Sequence, residues 1–150
     1  IHIVHATNAN GLPLQSEVNE KKFKIFFFDI GLLQHALGIN AREMASQELT
    51  DIYRGVSAEQ FVGQELLVYG DPYFDQHLYY WDRQKTGSTA EVDFVVDLSG
   101  QIVPIEVKAA ATGKLRSLRQ FLTTKPSKIG LKISAAPLKL EERVMSVPFY

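Results

Sequence analysis

Hydrophobic and polar positions repeat with two different periods along the chain. Residues 1–7 alternate and are rich in β-branched side chains, which predicts a strand. Asn8-Ala9-Asn10-Gly11-Leu12-Pro13 is turn chemistry, and the apolar run over residues 23–29 predicts the returning strand. The connection between them holds Glu17, Glu20, Lys21 and Lys22, so the pair reads as a hairpin with a long loop. Phe26-Phe27-Phe28 suggests a strand buried on both faces, or one covered by a domain upstream. Short helices are expected over 30–37, closed by Gly38, and over 41–49. Ser57 reads as the N-cap of a helix running to about Tyr69, where Gly70-Asp71-Pro72 stops it. Phe61, Val62, Leu66 and Val68 give that helix an apolar stripe broken by carboxylates.

Three strands follow, over 78–83, 90–98 and 101–109. Residues 114–122 form an amphipathic helix with Leu115, Leu118, Phe121 and Leu122 on one side. Residues 129–134 predict a further strand and 144–150 an edge strand. From Ser57 onward the order is α-β-β-β-α-β. There are no repeats, heptads or low-complexity tracts.

At 150 residues the chain has the size of one domain, and 45% apolar with 22% charged residues is ordinary for a folded soluble protein. Cysteine is absent, which removes disulfides, thiolate nucleophiles and cysteine-based metal sites and makes a reducing cytoplasm the default expectation. No apolar run approaches the roughly 18 residues of a membrane span, so no membrane partner is expected. The first residues carry neither an initiator Met nor a signal pattern, and the chain reads as a piece of a longer protein. His2, His5, His35 and His77 are scattered, which argues against zinc.

Charge is distributed unevenly. Up to Glu106 there are 7 Lys/Arg against 15 Asp/Glu, and beyond it 9 against 2. The basic end includes Lys114, Arg116 and Arg119, which could guide a phosphate backbone or simply form a solvated helix face. Tyr79, Tyr80 and Trp81 could stack nucleobases, but as consecutive strand residues they read first as core and edge aromatics.

Ser99-Gly100 suits a two-residue hairpin turn between two alternating runs. That register sets Asp93 opposite Glu106 and Glu91 opposite Lys108 on one face. The other face carries Val92, Phe94, Val96, Val103, Ile105 and Val107 as core. Opposed carboxylates repel unless a cation or proton lies between them. Carboxylate oxygens suit Mg²⁺ or Mn²⁺, and a neighbouring Lys108 could orient a metal-bound water or offset charge on a phosphate. Glu59 or Glu65 of the preceding helix could add a third carboxylate. A one-residue slip at the turn would separate Asp93 from Glu106.

Asp93, a gap of twelve residues containing the hairpin, and then Glu106-Val107-Lys108 resemble the PD-(D/E)XK motif of the nuclease superfamily. Gly55-Val56-Ser57-Ala58-Glu59 is similar to the G-x-x-x-E start of that superfamily's first helix. Residues 23–33, Tyr80-Trp81, residues 90–96 and 103–108, Ser117-Leu118-Arg119 and Val147-Pro148-Phe149-Tyr150 together resemble a narrower group. That group is the C-terminal domain of unknown function attached to many prokaryotic AAA+-type ATPases.

The resemblance implies an α/β fold with a restriction-endonuclease-like αβββαβ core, a mixed central sheet flanked by helices. Residues 1–40 would be the hairpin and linker helix left from a winged-helix and ATPase region, and 41–150 the nuclease-like domain. Asp93, Glu106 and Glu59 would hold Mg²⁺ or Mn²⁺, and Lys108 would position the attacking water. Nucleic acid and the upstream ATPase of the same polypeptide are the implied partners, and an oligomer is compatible. No G-x-x-x-x-G-K-[ST] loop occurs, so no ATP site is expected within these residues.

Two functions compete. A metal-dependent nuclease requires an open carboxylate cleft with a basic rim. A non-catalytic interaction or assembly module with a degenerate nuclease site should show that face salt-bridged or covered, with apolar surface elsewhere. Nucleic-acid binding without cleavage, through the basic end, is a third reading.

Overall fold

The structure is a computed structural model that describes residues 1–39, 51–71, 73, 75–83 and 90–149. The helix expected over 41–49 lies outside the described residues.

The pattern of the central hairpin organises the rest. Strand β4 (Glu91–Leu98) turns at Ser99 and Gly100 into β5 (Gln101–Lys108), with Leu98 opposite Gln101 and Phe94 opposite Ile105. Both turn residues have positive φ, 54° and 78°, the twist that a two-residue hairpin requires. Asp97 Oδ1 accepts from the Gly100 N–H at 2.8 Å and fastens the turn. The register expected from the sequence holds over these five pairs.

Among the described residues eight strands form one mixed sheet, in the order β2-β1-β3-β4-β5-β6-β8-β7. The flanking strands are β1 (His2–Thr7), β2 (Val18–Phe26), β3 (Tyr79–Asp82), β6 (Gly130–Ser134), β7 (Lys139–Glu141) and β8 (Val144–Pro148). β4 runs antiparallel to both of its neighbours, β3 and β5, and β6 joins β5 in parallel after a helical crossover. β1 joins β3 in parallel, so the sheet is continuous from the N-terminal hairpin to the C-terminal strands.

Helices cover both faces. On one lie α1 (Ile30–Ala36) and α2 (Asp51–Val68), with Val62 and Leu66 of α2 packed among Val4, Phe26, Tyr80, Phe94 and Ile105. On the other, α3 (Arg116–Thr124) sets Phe121 edge-on against Trp81 at 5.3 Å, beside Val92, Val95 and Ile102. Tyr80 and Trp81 are therefore core residues facing opposite layers. A Cβ on Gly63 would lie 2.8 Å from the Phe26 ring, so the absent side chain is what lets α2 approach the sheet.

Several boundaries differ from the sequence reading. β2 begins at Val18 rather than at 23, because its charged residues alternate along an edge strand and look like a loop. It ends at Phe26; Phe27 is half-buried and Phe28 is 71% exposed, so the triple-Phe run is not a doubly buried strand. Ser57 is internal to α2, whose packing on the sheet outweighs the weak helix propensity of Gly55. α3 is displaced toward the C-terminus, with Leu115 at its N-cap position. β8 is not an edge: the short β7, which carries too little pattern to read, pairs outside it.

The largest departure is inside β4. Trp81 pairs with Val92, but two residues back Tyr79 pairs with Val95, so β4 carries an extra residue at Asp93–Phe94. Val92 consequently packs in the α3 layer, whereas Phe94 and Val96 pack in the α2 layer. The expected single core face of Val92, Phe94 and Val96 is split by this bulge.

Candidate functional site

The main-chain pairing of β4 with β5 stops at Phe94–Ile105, one step short of the expected Asp93–Glu106 pair. There the Asp93 carboxylate enters the gap, and its Oδ2 accepts from the Val107 N–H at 2.7 Å. Asp93 and Glu106 thus meet at the open end of the hairpin without being a ladder pair, because the bulge shifts Asp93 out of step.

Four carboxylates share this end of the sheet. Glu59 comes from α2 and Glu91 from the first position of β4. Burial, then the charges of Glu59 and Glu106, pushes the Asp93 carboxyl up to about 7. Burial also raises Glu106, with Lys108 pulling it down and Glu59 and Glu91 pushing it up. Glu106 is 5% exposed; its Oε1 takes the Lys108 ammonium at 2.6 Å, and its Oε2 is buried with no hydrogen-bond partner. Lys108 is thus paired with Glu106 rather than set across from Glu91.

The cation that meets Glu91 comes from far earlier in the chain. On β2, Lys22, Lys24 and Phe26 alternate with the exposed Phe23 and Ile25. Lys22 pairs with Asp82, Phe26 enters the core, and Lys24 reaches both Glu59 Oε1 at 2.8 Å and Glu91 Oε1 at 2.6 Å. Its Nζ also lies 4.9 Å from the centre of the Tyr80 ring. Burial works against the Lys24 ammonium, and Glu59 and Glu91 overcome it, so the group is held well above its ordinary range.

The residues do not fit a resident divalent cation in this arrangement. Among the described residues no three His, Cys, Asp or Glu side chains are grouped closely enough to hold one. Glu59 is committed to Lys24, and one oxygen of Glu106 to Lys108. Glu65, the other helical candidate, is half-buried on α2 and has no part in these ion pairs. The structure therefore brings Asp93, Glu106, Glu59 and Lys108 to one end of the sheet, but with Glu59 and Glu91 on the Lys24 ammonium, Glu106 on that of Lys108 and Asp93 on the Val107 N–H.

The expected basic rim is elsewhere. Arg116 and Arg119 are exposed on α3, in the layer opposite α2, and Arg119 pairs with Glu142 at 3.2 Å. Lys114 is exposed in the segment joining β5 to α3.

Sequence reasoning missed Lys24 as a site residue and assigned Glu91 the wrong partner. The signal was present: charged residues at every second position beside apolar ones are the period of a strand.

A family model of a domain of unknown function, DUF4143, matches residues 54–150. The chain belongs to the DUF4143 family. The matched segment contains Glu59, Glu91, Asp93, Glu106 and Lys108, and Lys24 lies before it. The chain is 37% identical over 100 residues to the uncharacterized protein Rv2008c of Mycobacterium tuberculosis, and equally to the uncharacterized protein Mb2031c of Mycobacterium bovis. Each match takes in 66% of this chain and 21% of the relative. The chain thus covers about a fifth of the length of these curated relatives. No solved structure matches it.

Proposed function

We propose that this chain is the nuclease-like domain of a longer prokaryotic AAA+-type ATPase and acts there as a non-catalytic interaction or assembly module. The observation that carries the reading is Lys24, whose ammonium bridges Glu59 and Glu91 where a working nuclease keeps its carboxylates open to a cation. The element order α2-β3-β4-β5-α3-β6, with β6 parallel to β5, supports a restriction-endonuclease-like core. Apolar side chains exposed on the N-terminal hairpin, Ile3, Phe23 and Ile25, are the surface expected of a docking module. The much greater length of the relatives supports a multidomain parent.

The test is an assay of the full-length protein on plasmid, branched and single-stranded DNA and on RNA, with Mg²⁺ or Mn²⁺. The expected result is no cleavage above that of the Asp93→Ala variant, together with loss of self-association or partner binding when the domain is deleted. Cleavage that Asp93→Ala abolishes overturns the reading. It would establish the second one, metal-dependent phosphodiester hydrolysis. That alternative is favoured by one observation, the buried Glu106 Oε2 with no donor.

A further inference from the structure

Among the described residues β2 is the outermost strand at one end of the sheet, so the outer side of its main chain has no strand beside it. Its pairing with β1 is regular from Phe23 to Phe26, whereas Glu20, Lys21 and Lys22 stand as extra residues between the pairs Ala6–Asn19 and His5–Phe23. The two faces of the regular stretch differ. Lys24 and Phe26 point into the α2 layer. Phe23 and Ile25 lie on the opposite face with Ile3; α3 packs there over β4 and β5, and these three side chains stay 50–54% exposed. Lysine is the usual guard of a strand edge, because its ammonium stays in water and keeps other strands away. Here Lys22 is tied to Asp82, and Lys24 to Glu59 and Glu91, so both guards are turned back into their own chain.

We propose that β2 is a self-pairing edge: a second copy of this chain adds its own β2 antiparallel across a two-fold axis at Lys24 and joins the two sheets. The inference rests on the reading of this domain as an assembly module and names the partner. An axis at Lys24 sets Phe23 of each copy opposite Ile25 of the other and centres the ladder on the regular stretch. Because Ile3 pairs with Ile25 and His5 with Phe23, each row across the joined face reads Ile3, Ile25, then Phe23 and His5 of the second copy. Moving the axis to Phe23 sets Lys22 opposite Lys24 twice, and moving it to Lys22 sets Lys21 opposite Phe23. An axis between residues puts the apolar face of one copy against the charged face of the other. At Lys24 the single like-charge pair consists of ammoniums that already hold two carboxylates each. An isologous edge needs one sequence to match only itself, and this one does. The paired stretch is about 17 Å long, a contact well below the roughly 800 Å² per partner of a standard interface, so the dimer is reversible.

The test is sedimentation velocity of the chain over a range of concentrations. Its mass is expected to rise from one copy to two through the micromolar range, and Ile25→Lys, which puts an unpaired ammonium on the edge, should weaken association at least about tenfold. The chain has no cysteine, so introduced thiols report the register without background. A mixture of the Phe23→Cys and Ile25→Cys variants should form the mixed disulfide dimer in excess over the dimers of either variant with itself. A chain that stays single at every concentration overturns the proposal, and so does a dimer that Ile25→Lys leaves intact or a mixed disulfide in no excess. None of these results touches the non-catalytic reading, which stands or falls on the cleavage assay.

Should Ile25→Lys not fold, the unaltered chain decides. Amide hydrogen exchange over residues 22–26 should slow as concentration rises, because outward N–H groups gain a partner in the second copy. Slowing confined to other segments overturns the proposal.

Discussion

The Asp93 carboxylate takes the hydrogen bond of the Val107 main chain, Oδ2 to N–H at 2.7 Å, at the point where β4 and β5 cease to pair. One side chain thus ends the ladder, satisfies a buried N–H and brings a carboxylate into the gap. It does so at an electrostatic cost, because burial first, and then the charges of Glu59 and Glu106, hold its carboxyl up near 7.

That cost sets a pH dependence. A carboxyl raised in the folded state binds its proton there while the unfolded chain has lost it, so stability falls as pH rises from about 4 through about 7. Asp93→Asn keeps an acceptor for Val107 and removes the charge. It is expected to gain about 1–3 kcal/mol on the unaltered chain between pH 5 and pH 8, read from urea unfolding. A variant less stable at pH 8 would mean that the carboxylate is stabilised by a group other than those named.

Lys108 is what makes the buried Glu106 tolerable. Lys108→Ala is expected to lower stability by about 1–3 kcal/mol at pH 7, because it leaves a buried charge without its partner. The loss should shrink at pH 4.5, where the raised Glu106 carboxyl accepts a proton, and in the double variant Lys108→Ala with Glu106→Gln. Thermal melts at the two pH values measure it, and an equal loss at both would reject the ion pair as its cause.

Gly63 sets the separation of α2 from the sheet. Gly63→Ala places a methyl 2.8 Å from the Phe26 ring and 3.1 Å from that of Phe94. Despite alanine's better helix propensity, overpacking should prevail and destabilise the fold by roughly 1–3 kcal/mol. A raised melting temperature would show instead that the two rings rearrange freely.

The hairpin turn offers a gain. Ser99 holds φ at 54°, a conformation that asparagine adopts more readily than serine. Ser99→Asn should stabilise the chain by about 0.5–1 kcal/mol without altering the register, checked by melting temperature and by cross-strand amide contacts between Phe94 and Ile105.

Much of the fold was legible because it follows from local pattern. Alternation marked β4 and β5, Ser99-Gly100 fixed their pairing, and Gly38, at a positive φ of 71°, marked the end of α1; Asp29, which caps its start by accepting from the Leu32 N–H at 2.9 Å, lies instead in the run that predicts a strand. Asp93, Glu106 and Lys108 could be singled out because residue type and spacing carry them to one end of the sheet, whereas spacing left Glu59 and Glu65 open and only the resemblance to the G-x-x-x-E helix start favoured Glu59. The split of Val92 from Phe94 was not legible, since a bulge inserts one residue without changing the composition around it.

What the sequence by itself determined was seven of the eight strands and the approximate place of three helices, the hairpin register and the concentration of acid at its open end. Only the tertiary structure decided which cation meets that acid. Lys24 and Glu59 lie 35 positions apart, and their contact exists because β1 pairs with β3 and carries β2 alongside, under α2. Local periodicity specifies which way a side chain points along its own strand; which charge it then meets depends on how distant elements pack.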